Sequence, residues 1–257
     1  MTIFDWFGYE LPHEERYRLI RGAGFTGVLL WWSDEFDQDY RNAPEFARRA
    51  GLFVENIHTP FAGINSIWLD NLDGEAFTAR LLQCVEDCAA FAIPTMVVHL
   101  SSGTTPPPAN ELGLARIRCI AALAERHGIN VALENLRKTE VLDYVLGRLD
   151  TPRVGFCYDS GHHHCYTPGD DLFARYGSRL MALHLHDNDS SDDQHRLPFD
   201  GTIAWGAVLP QIADAGYRGA LALEVEAKGK EKAALSAEAF LRVAFERAEK
   251  LEPLLRR

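Results

Sequence analysis

Six side chains with metal-binding or acid–base chemistry lie at the ends of short apolar segments spread along the chain. They are His58, His99, Glu134, Asp159, His184 and Glu224. Any one of them alone could equally be a hydrogen-bonded polar residue at the rim of a fold. Together they require a positive charge, because burying several unpaired carboxylates is costly, and no Lys or Arg closes any of these segments. The sequence therefore predicts a divalent metal centre, provided that the segments end side by side.

The donor types also indicate which metal to expect. Four residues form an oxygen-rich set that favours Mn²⁺, Mg²⁺ or Co²⁺, namely Glu134, Asp159, His184 and Glu224. His58 and His99 would enrich a neighbouring position in nitrogen, which suits Zn²⁺ or Fe. We expect manganese or zinc first, with magnesium or cobalt as alternatives.

Further polar residues could extend this centre. His162 opens a run of three histidines, and Asp193 and His195 are separated by one residue. These three could form an additional metal site, although Asp193 and His195 could equally belong to a solvated polar loop. The other acidic residues of segment 187–192 are expected to be solvated. His162 is also a candidate for contact with a substrate.

Aromatic residues crowd the same predicted region and could form one wall of a substrate site. Trp6, Trp31, Phe61 and Trp68 would each fit core packing, but an aromatic wall beside a metal also suits the apolar face of a sugar ring. His186 shares a strand face with His184, so it is a candidate for substrate contact or for support of a metal ligand.

The polar residues can meet only if the elements that carry them form a closed parallel sheet. Eight short apolar segments alternate with segments of helical period, the pattern of βα units. The predicted strands are Thr2–Phe7, Gly27–Trp31, Leu52–His58, Thr95–His99, Asn130–Asn135, Val154–Asp159, Met181–Asp187 and Ala220–Glu226. The predicted helices are Pro12–Ala23, Ala43–Ala50, Gly74–Phe91, Ala109–His127, Thr139–Leu149, Asp170–Tyr176, Trp205–Ala215 and Lys232–Leu251. The chain of 257 residues is therefore predicted to form an α/β fold, a single (β/α)8 TIM barrel over residues 1–257, with its site at the carboxyl ends of the strands.

The composition and net charge indicate which classes of binding partner to expect. The chain has 37 acidic against 26 basic residues and a net charge of −11, which disfavours nucleic acid because phosphate backbones need cationic contacts. The longest nearly apolar stretch, 88–98, is too short to span a bilayer. Five cysteines without a C-x-x-C pair suit free thiols in a reducing compartment. We therefore expect a cytoplasmic protein with a small-molecule, sugar-like substrate, and exposed aromatic residues near the rim would allow a homodimer.

The motifs that contain these residues resemble one known group of barrels. In chain order they read ENIHTPF, MVVHLSSG, VALENLR, VGFCYDSGH, LHLHDN, DQHRLPFDGTIAW and LALEVE. This series is similar to the xylose isomerase-like TIM barrel superfamily, which joins sugar and sugar-phosphate isomerases and epimerases with endonuclease IV. The resemblance runs through most of the chain, from FDWFGYEL and LLWW onward.

The isomerase and epimerase branch implies a role for each matched residue. Glu134, Asp159, His184 and Glu224 would hold the metal, and the two glutamates would exchange a proton with the carbon beside a carbonyl. His162 would be the substrate-binding histidine. The arginine that follows the strand-7 histidine in some ketose epimerases is missing, since positions 188–193 read NDSSDD.

The endonuclease IV branch implies a different activity. Its three-zinc ligand positions are all matched here, by His58, His99, Glu134, Asp159, His162, His184, Asp193, His195 and Glu224. The acidic balance and the absence of Arg-rich loops stand against a DNA-cleaving enzyme. A metal-dependent sugar isomerase or epimerase is therefore the leading hypothesis. A zinc-dependent phosphodiesterase is the second, and a non-catalytic ligand-binding barrel is the third.

Overall fold

The eight predicted strands form one closed parallel barrel. The computed structural model describes residues 1–35 and 38–255. Its strands are β1 Thr2–Phe4, β2 Gly27–Trp31, β3 Phe53–His58, β4 Thr95–Val98, β5 Asn130–Glu134, β6 Val154–Asp159, β7 Leu180–His184 and β8 Ala222–Leu223. They pair in the order β7-β6-β5-β4-β3-β2-β1-β8, and the amide of Leu185 donates to the carbonyl of Ala222 at 2.9 Å, which joins the two ends. The predicted TIM barrel is confirmed.

Helices surround this barrel. They are α1 His13–Ala23, α2 Ala43–Arg49, α3 Leu72–Ala90, α4 Glu111–His127, α5 Thr139–Leu146, α6 Ser160–Tyr166, α7 Leu172–Tyr176, α8 Trp205–Asp214, α9 Gly229–Ala234 and α10 Ala237–Leu255, with short 3-10 helices at Tyr40–Asn42, Ile64–Trp68 and Gly177–Arg179. Within residues 1–35 and 38–255, no helix has both the length and the apolar character needed to cross a membrane.

Local signals explain several helix boundaries. The side chains of Asn71 and Asn110 accept hydrogen bonds from the amides of the third residue beyond them and so cap α3 and α4. Gly24 and Gly128 directly follow α1 and α4 and end them, because both adopt the left-handed conformation that glycine accommodates without strain.

Three predicted strands extend three residues beyond the observed carboxyl ends, three others differ by a single residue, and two helical assignments need correction. β1, β7 and β8 stop before the predicted Phe7, Asp187 and Glu226 because the backbone leaves the sheet where the polar rim begins. The segment after β6, which lies outside the predicted helices, contains α6. The single predicted helix Lys232–Leu251 is two helices, because Ser236 lies between α9 and α10 and its hydroxyl accepts a hydrogen bond from the amide of Ala239.

A layer of small side chains fills the barrel directly beneath the predicted site. Val97, Ala132, Cys157 and Ala182 form this buried floor. Each precedes a predicted metal ligand by two positions, and residues two apart on a strand face the same side. The ligands above the floor are His99, Glu134, Asp159 and His184. The alternation of β4 to β7 therefore points four donors into one space at the carboxyl end of the barrel.

Candidate metal centre and active site

The carboxylate of Glu134 is the centre of the site. Its Oε1 atom lies 3.0 Å from Nδ1 of His162 and 3.3 Å from Nε2 of His99. Its Oε2 atom lies 3.1 Å from Nδ1 of His184 and 3.6 Å from Nε2 of His58. Four imidazoles from four different βα units therefore face one fully buried carboxylate.

Five overlapping groups of donor atoms among the described residues could each hold a metal ion, and three of these groups contain all the donors except Cys157. In each group the nitrogen and oxygen atoms lie within 4.8 Å of one another. The first donor group is His58, His99 and Glu134; the second is Glu134, Asp159, His184 and Glu224; the third is His186, Asp193 and His195. Because Glu134 belongs to the first two, its carboxylate could bridge two neighbouring ions.

The third donor group differs in one member from the additional site predicted from the sequence, which combined His162 with Asp193 and His195. His186 occupies the place expected for His162, although Nε2 of His162 still lies 3.1 Å from Oδ2 of Asp193. The Asp193 carboxylate also lies 3.4 Å from Nε2 of His195 and 3.6 Å from Nε2 of His186. Three imidazoles therefore surround Asp193, as four surround Glu134.

The residues present fit a bound cation. Both carboxylate oxygens of Glu134, Nε2 of His99 and both ring nitrogens of His184 are buried without a hydrogen bond. Their contacts are close in distance but lack hydrogen-bond geometry. Buried polar atoms are normally satisfied by hydrogen bonds, and a role in binding an ion is one standard reason for an exception. A divalent metal would satisfy the atoms that the protein leaves without partners.

Backbone carbonyls fix the orientation of three histidines. Nδ1 of His58, His162 and His195 lies 2.9, 3.1 and 2.9 Å from the carbonyl oxygens of Thr59, Asn135 and Glu224, respectively. When Nδ1 carries the proton, each contact is a hydrogen bond, and the lone pair of Nε2 is free to bind a metal. This is the arrangement by which proteins prepare imidazole as a metal ligand.

Asp159 is placed by its neighbours on β5 and α6. The side-chain amide of Asn135 accepts from the Asp159 amide at 2.8 Å and donates to its carbonyl at 2.9 Å. Oδ1 of Asp159 caps α6 by accepting from the amide of His162 at 2.6 Å. A β-carbon at Gly161 would lie 1.9 Å from the ring of His186, so only glycine permits this approach. The Asp159 carboxylate is therefore held in a fixed position above the floor of the site.

The loop that carries Asp193 and His195 is anchored by Asp187. This carboxylate, predicted to be solvated, is fully buried. It accepts hydrogen bonds from the backbone amides of Asn188, Phe199 and Ile203 and from the indole of Trp205, at 2.9 to 3.1 Å. The prediction was wrong because sequence composition does not reveal that the loop folds back over its own first residue.

The paired charges shift the pKa values of the site. Burial alone would raise the pKa of Glu134, but His99 and His184 hold it well below its usual range. Burial alone would lower the pKa of His162, but Asp159 and Asp193 raise it well above its usual value. Asp193 likewise overcomes the effect of burial and raises the pKa of His195 to about 9. Burial lowers the pKa of His99, so without a metal the protonated imidazoles that balance the ionised carboxylates are those of His162, His184 and His195.

A small cavity opens beside the donor groups. Its volume is about 170 Å³. The residues that line it are Phe4, Trp6, Trp31, His58, Phe61, His99, Glu134, His162, Asp193, His195, Glu224 and Glu226. The rings of Phe61 and His99 stack with centroids 4.6 Å apart, and Trp31 lies 5.6 Å from Phe61. The cavity therefore combines an aromatic wall with a wall of metal ligands.

The predicted substrate residues divide into two sets. Trp6, Trp31 and Phe61 line the cavity. Trp68 lies elsewhere, with its indole donating to the carbonyl of Leu100 at 2.7 Å, because its chain position falls on a 3-10 helix that packs inward against α4. His186 lies behind the cavity wall, stacked on His195 with ring centroids 4.0 Å apart.

Two residues that line the cavity, Phe4 and Glu226, were not predicted from the sequence. The alternation of side chains along the predicted strands could have identified both. Phe4 and Trp6 are two positions apart, as are Glu224 and Glu226. Residues with this spacing face the same side of a strand. Cys157 was also given no role, yet it approaches Glu134 and His184 closely enough to form a donor group with them.

Comparison with known proteins agrees with this fold. The model of the family described as xylose isomerase-like TIM barrel matches residues 17–243. The chain belongs to this family. A Sinorhizobium fredii protein of unassigned function, y4fM, is 29% identical over 87% of this chain and 86% of its own length. A Streptomyces coelicolor protein provisionally named hydroxypyruvate isomerase is 26% identical over 84% of this chain and 86% of its own length.

Solved structures extend the likeness of the fold. A D-psicose 3-epimerase from Clostridium cellulolyticum H10, determined with D-tagatose, superimposes with a TM-score of 0.79. The two sequences are 16% identical, and the superposition covers 99% of this chain and 98% of the epimerase. The barrel architecture is therefore shared over essentially the whole length of both proteins.

Proposed function

We propose that this protein is a divalent-metal-dependent isomerase or epimerase of a small sugar-like hydroxy-carbonyl compound. One observation carries the proposal: the buried second donor group lies at a cavity with an aromatic wall, and two of its members are glutamates. Glu134 and Glu224 both line that cavity. Sugar epimerases among proteins of the same fold support the proposal.

The side chains divide the chemistry between them. A metal held by the second donor group supplies a Lewis acid for the carbonyl oxygen of the substrate. One glutamate, Glu134 or Glu224, removes the proton from the carbon beside the carbonyl, and the other returns a proton. Return of the proton to the opposite face of the same carbon gives an epimer. Return to the former carbonyl carbon, with the proton of the neighbouring hydroxyl passing to the former carbonyl oxygen, gives an isomer. His162 contacts a substrate hydroxyl, and Trp6, Trp31 and Phe61 pack against the carbon chain.

Hydrogen exchange tests this proposal without knowledge of the natural substrate. The manganese-loaded protein is incubated in D₂O with hydroxypyruvate, D-fructose and D-tagatose, and proton NMR follows the C–H signal beside the carbonyl. We expect loss of that signal with at least one compound and none with the Glu224→Gln variant. Glu249→Gln, an exposed change on α10, is the matched control and should behave as wild type. Undiminished exchange in Glu224→Gln, or no exchange with any compound by metal-loaded protein, contradicts the proposal.

A second candidate function is a multi-zinc phosphodiesterase. The presence of three neighbouring donor groups favours it, because phosphodiester cleavage commonly uses two or more ions. Against it, the described residues that line the cavity include neither Lys nor Arg. Zinc titration and cleavage of a fluorescent duplex with one abasic site test this candidate. Two or three zinc ions per chain with salt-sensitive cleavage would support it, and a single ion or no cleavage would contradict it.

A further inference from the structure

A second, larger cavity adjoins the one that holds the metal ligands. It has a volume of about 500 Å³ and lies between the loop that follows β7 and the chain that leads into α9. Its lining residues are Asp192, Asp193, Gln194, Arg196, Asp200, Glu226, Lys228, Gly229, Lys230 and Glu231. Asp193 and Glu226 line both cavities. We call the smaller one the inner cavity and the larger one the outer cavity.

The volumes indicate that the inner cavity holds only part of a sugar-sized ligand. At about 170 Å³ it falls below the roughly 300–1,000 Å³ typical of small-molecule sites, whereas the outer cavity, at about 500 Å³, falls within that range. A three-carbon compound needs only the inner cavity. A longer molecule whose carbonyl end lies among the metal ligands must extend past Asp193 and Glu226.

The outer wall suits hydroxyl groups better than an anion. Nζ of Lys228 lies 2.8 Å from Oε2 of Glu226, and a guanidinium nitrogen of Arg196 lies 2.9 Å from Oδ2 of Asp189. Two of the three cations that line the cavity therefore already have carboxylate partners, and the third is Lys230. Because the lining has five carboxylates against these three cations, it disfavours a phosphate. A hydroxyl group both donates and accepts, and the wall offers acceptors and donors side by side.

We propose that the outer cavity is a substrate subsite for the hydroxylated end of an open-chain sugar, with Asp193 and Glu226 contacting the chain where the two cavities meet. The proposal rests on the proposed function for the reaction in the inner cavity, but binding in the outer cavity does not depend on turnover. It makes the outer cavity the determinant of substrate length. Sugars are bound across both cavities, and three-carbon compounds are bound in one.

Polyols test the subsite because they lack a carbonyl and cannot be isomerised. Isothermal titration calorimetry compares D-glucitol with glycerol on the manganese-loaded protein. We expect D-glucitol to bind at least roughly ten-fold more tightly, the effect of one or two additional hydrogen bonds. In Lys230→Trp a large side chain occupies the outer cavity, so this preference should fall to near unity. Lys232→Trp, two residues further along α9 and outside the lining, is the matched control and should keep the preference.

The outcomes separate the subsite from the reaction. Equal affinity of the wild-type protein for the two polyols overturns the subsite, and so does a preference that survives in Lys230→Trp. Circular dichroism establishes that both tryptophan variants are folded. If D-glucitol is preferred as expected but no carbonyl compound exchanges its proton, the subsite stands and the proposed reaction fails.

Discussion

Nδ1 of His184 lies 3.1 Å from Oε2 of Glu134, and both side chains are almost fully buried. The contact lacks hydrogen-bond geometry. It joins strands β5 and β7, which are not adjacent in the barrel. Two ligands that approach each other without bonding define a position that a cation would fill.

Glu134→Gln should remove most activity and weaken the metal centre. The glutamine amide cannot act as the base, and the substitution removes the negative charge that Glu134 contributes to both the first and the second donor groups. We expect proton exchange to fall by about 100-fold or more, within the range that general acid–base catalysis contributes. NMR exchange rates at saturating manganese measure the loss. A variant that retains wild-type exchange would show that this carboxylate takes no part in proton transfer.

His195 predicts a pH dependence of the metal-free protein. Its pKa is raised to about 9 in the fold, from about 6.5 in an unfolded chain. Its contribution to stability is therefore complete below about pH 6.5 and is lost as the pH rises through about 9. We expect the contribution of His195 to the free energy of unfolding to fall by on the order of 2–3 kcal/mol across this window, and His195→Gln should remove this part of the fall.

Urea unfolding of metal-free protein at several pH values measures this effect. His127→Gln, a change at an exposed histidine, should leave the slope unchanged. Asp193 has a lowered pKa, so its own contribution is constant over this pH range. Constant or rising stability between these limits would contradict the assigned charge state of His195.

Asn135→Leu should weaken metal binding without removing a ligand. The side chain holds the backbone of Asp159 through two hydrogen bonds. Loss of such support typically reduces metal affinity or activity by about 10–100-fold. Competition with a fluorescent chelator measures manganese affinity. Asn130→Leu, at the amino end of β5, the strand that Asn135 follows, is the control. Equal affinities in the two variants would argue against this role.

Asp187→Asn should disturb the third donor group more than the first two. The carboxylate accepts from three backbone amides and one indole, and an amide in its place leaves buried donors poorly matched. We expect a loss of about 1–3 kcal/mol in the free energy of unfolding and weaker zinc binding through Asp193 and His195. Urea unfolding and zinc titration measure the two effects. The exposed change Asp214→Asn should alter neither.

The positions of the strand-end ligands follow from elementary rules. Parallel strands that close into a barrel bring their carboxyl ends to one rim, so any polar residue that closes a strand must lie there. His58, Glu134, Asp159 and His184 each close an observed strand. The alternation of side chains along a strand then selects which neighbours share the cavity, and it would have added Phe4 and Glu226.

The remaining features depend on contacts between distant segments. In the sequence, Trp68 and Trp31 are equally plausible members of an aromatic wall. The structure places Trp68 on a 3-10 helix that packs against α4, and this packing is not evident from the sequence. Helix α6 has no apolar period, and the Asp159 side chain starts it. The burial of Asp187 requires a loop that returns to its origin, with Gly201 leaving space where a β-carbon would lie 2.2 Å from the Asp187 carboxylate.

The proposed function requires that Glu134, Asp159, His184 and Glu224 bind a divalent cation. Anomalous X-ray scattering from a crystal soaked in manganese, recorded above and below the manganese absorption edge, tests it most directly. We expect a strong manganese peak in contact with all four side chains. A map with no peak among them, or with manganese bound only elsewhere, would contradict the account.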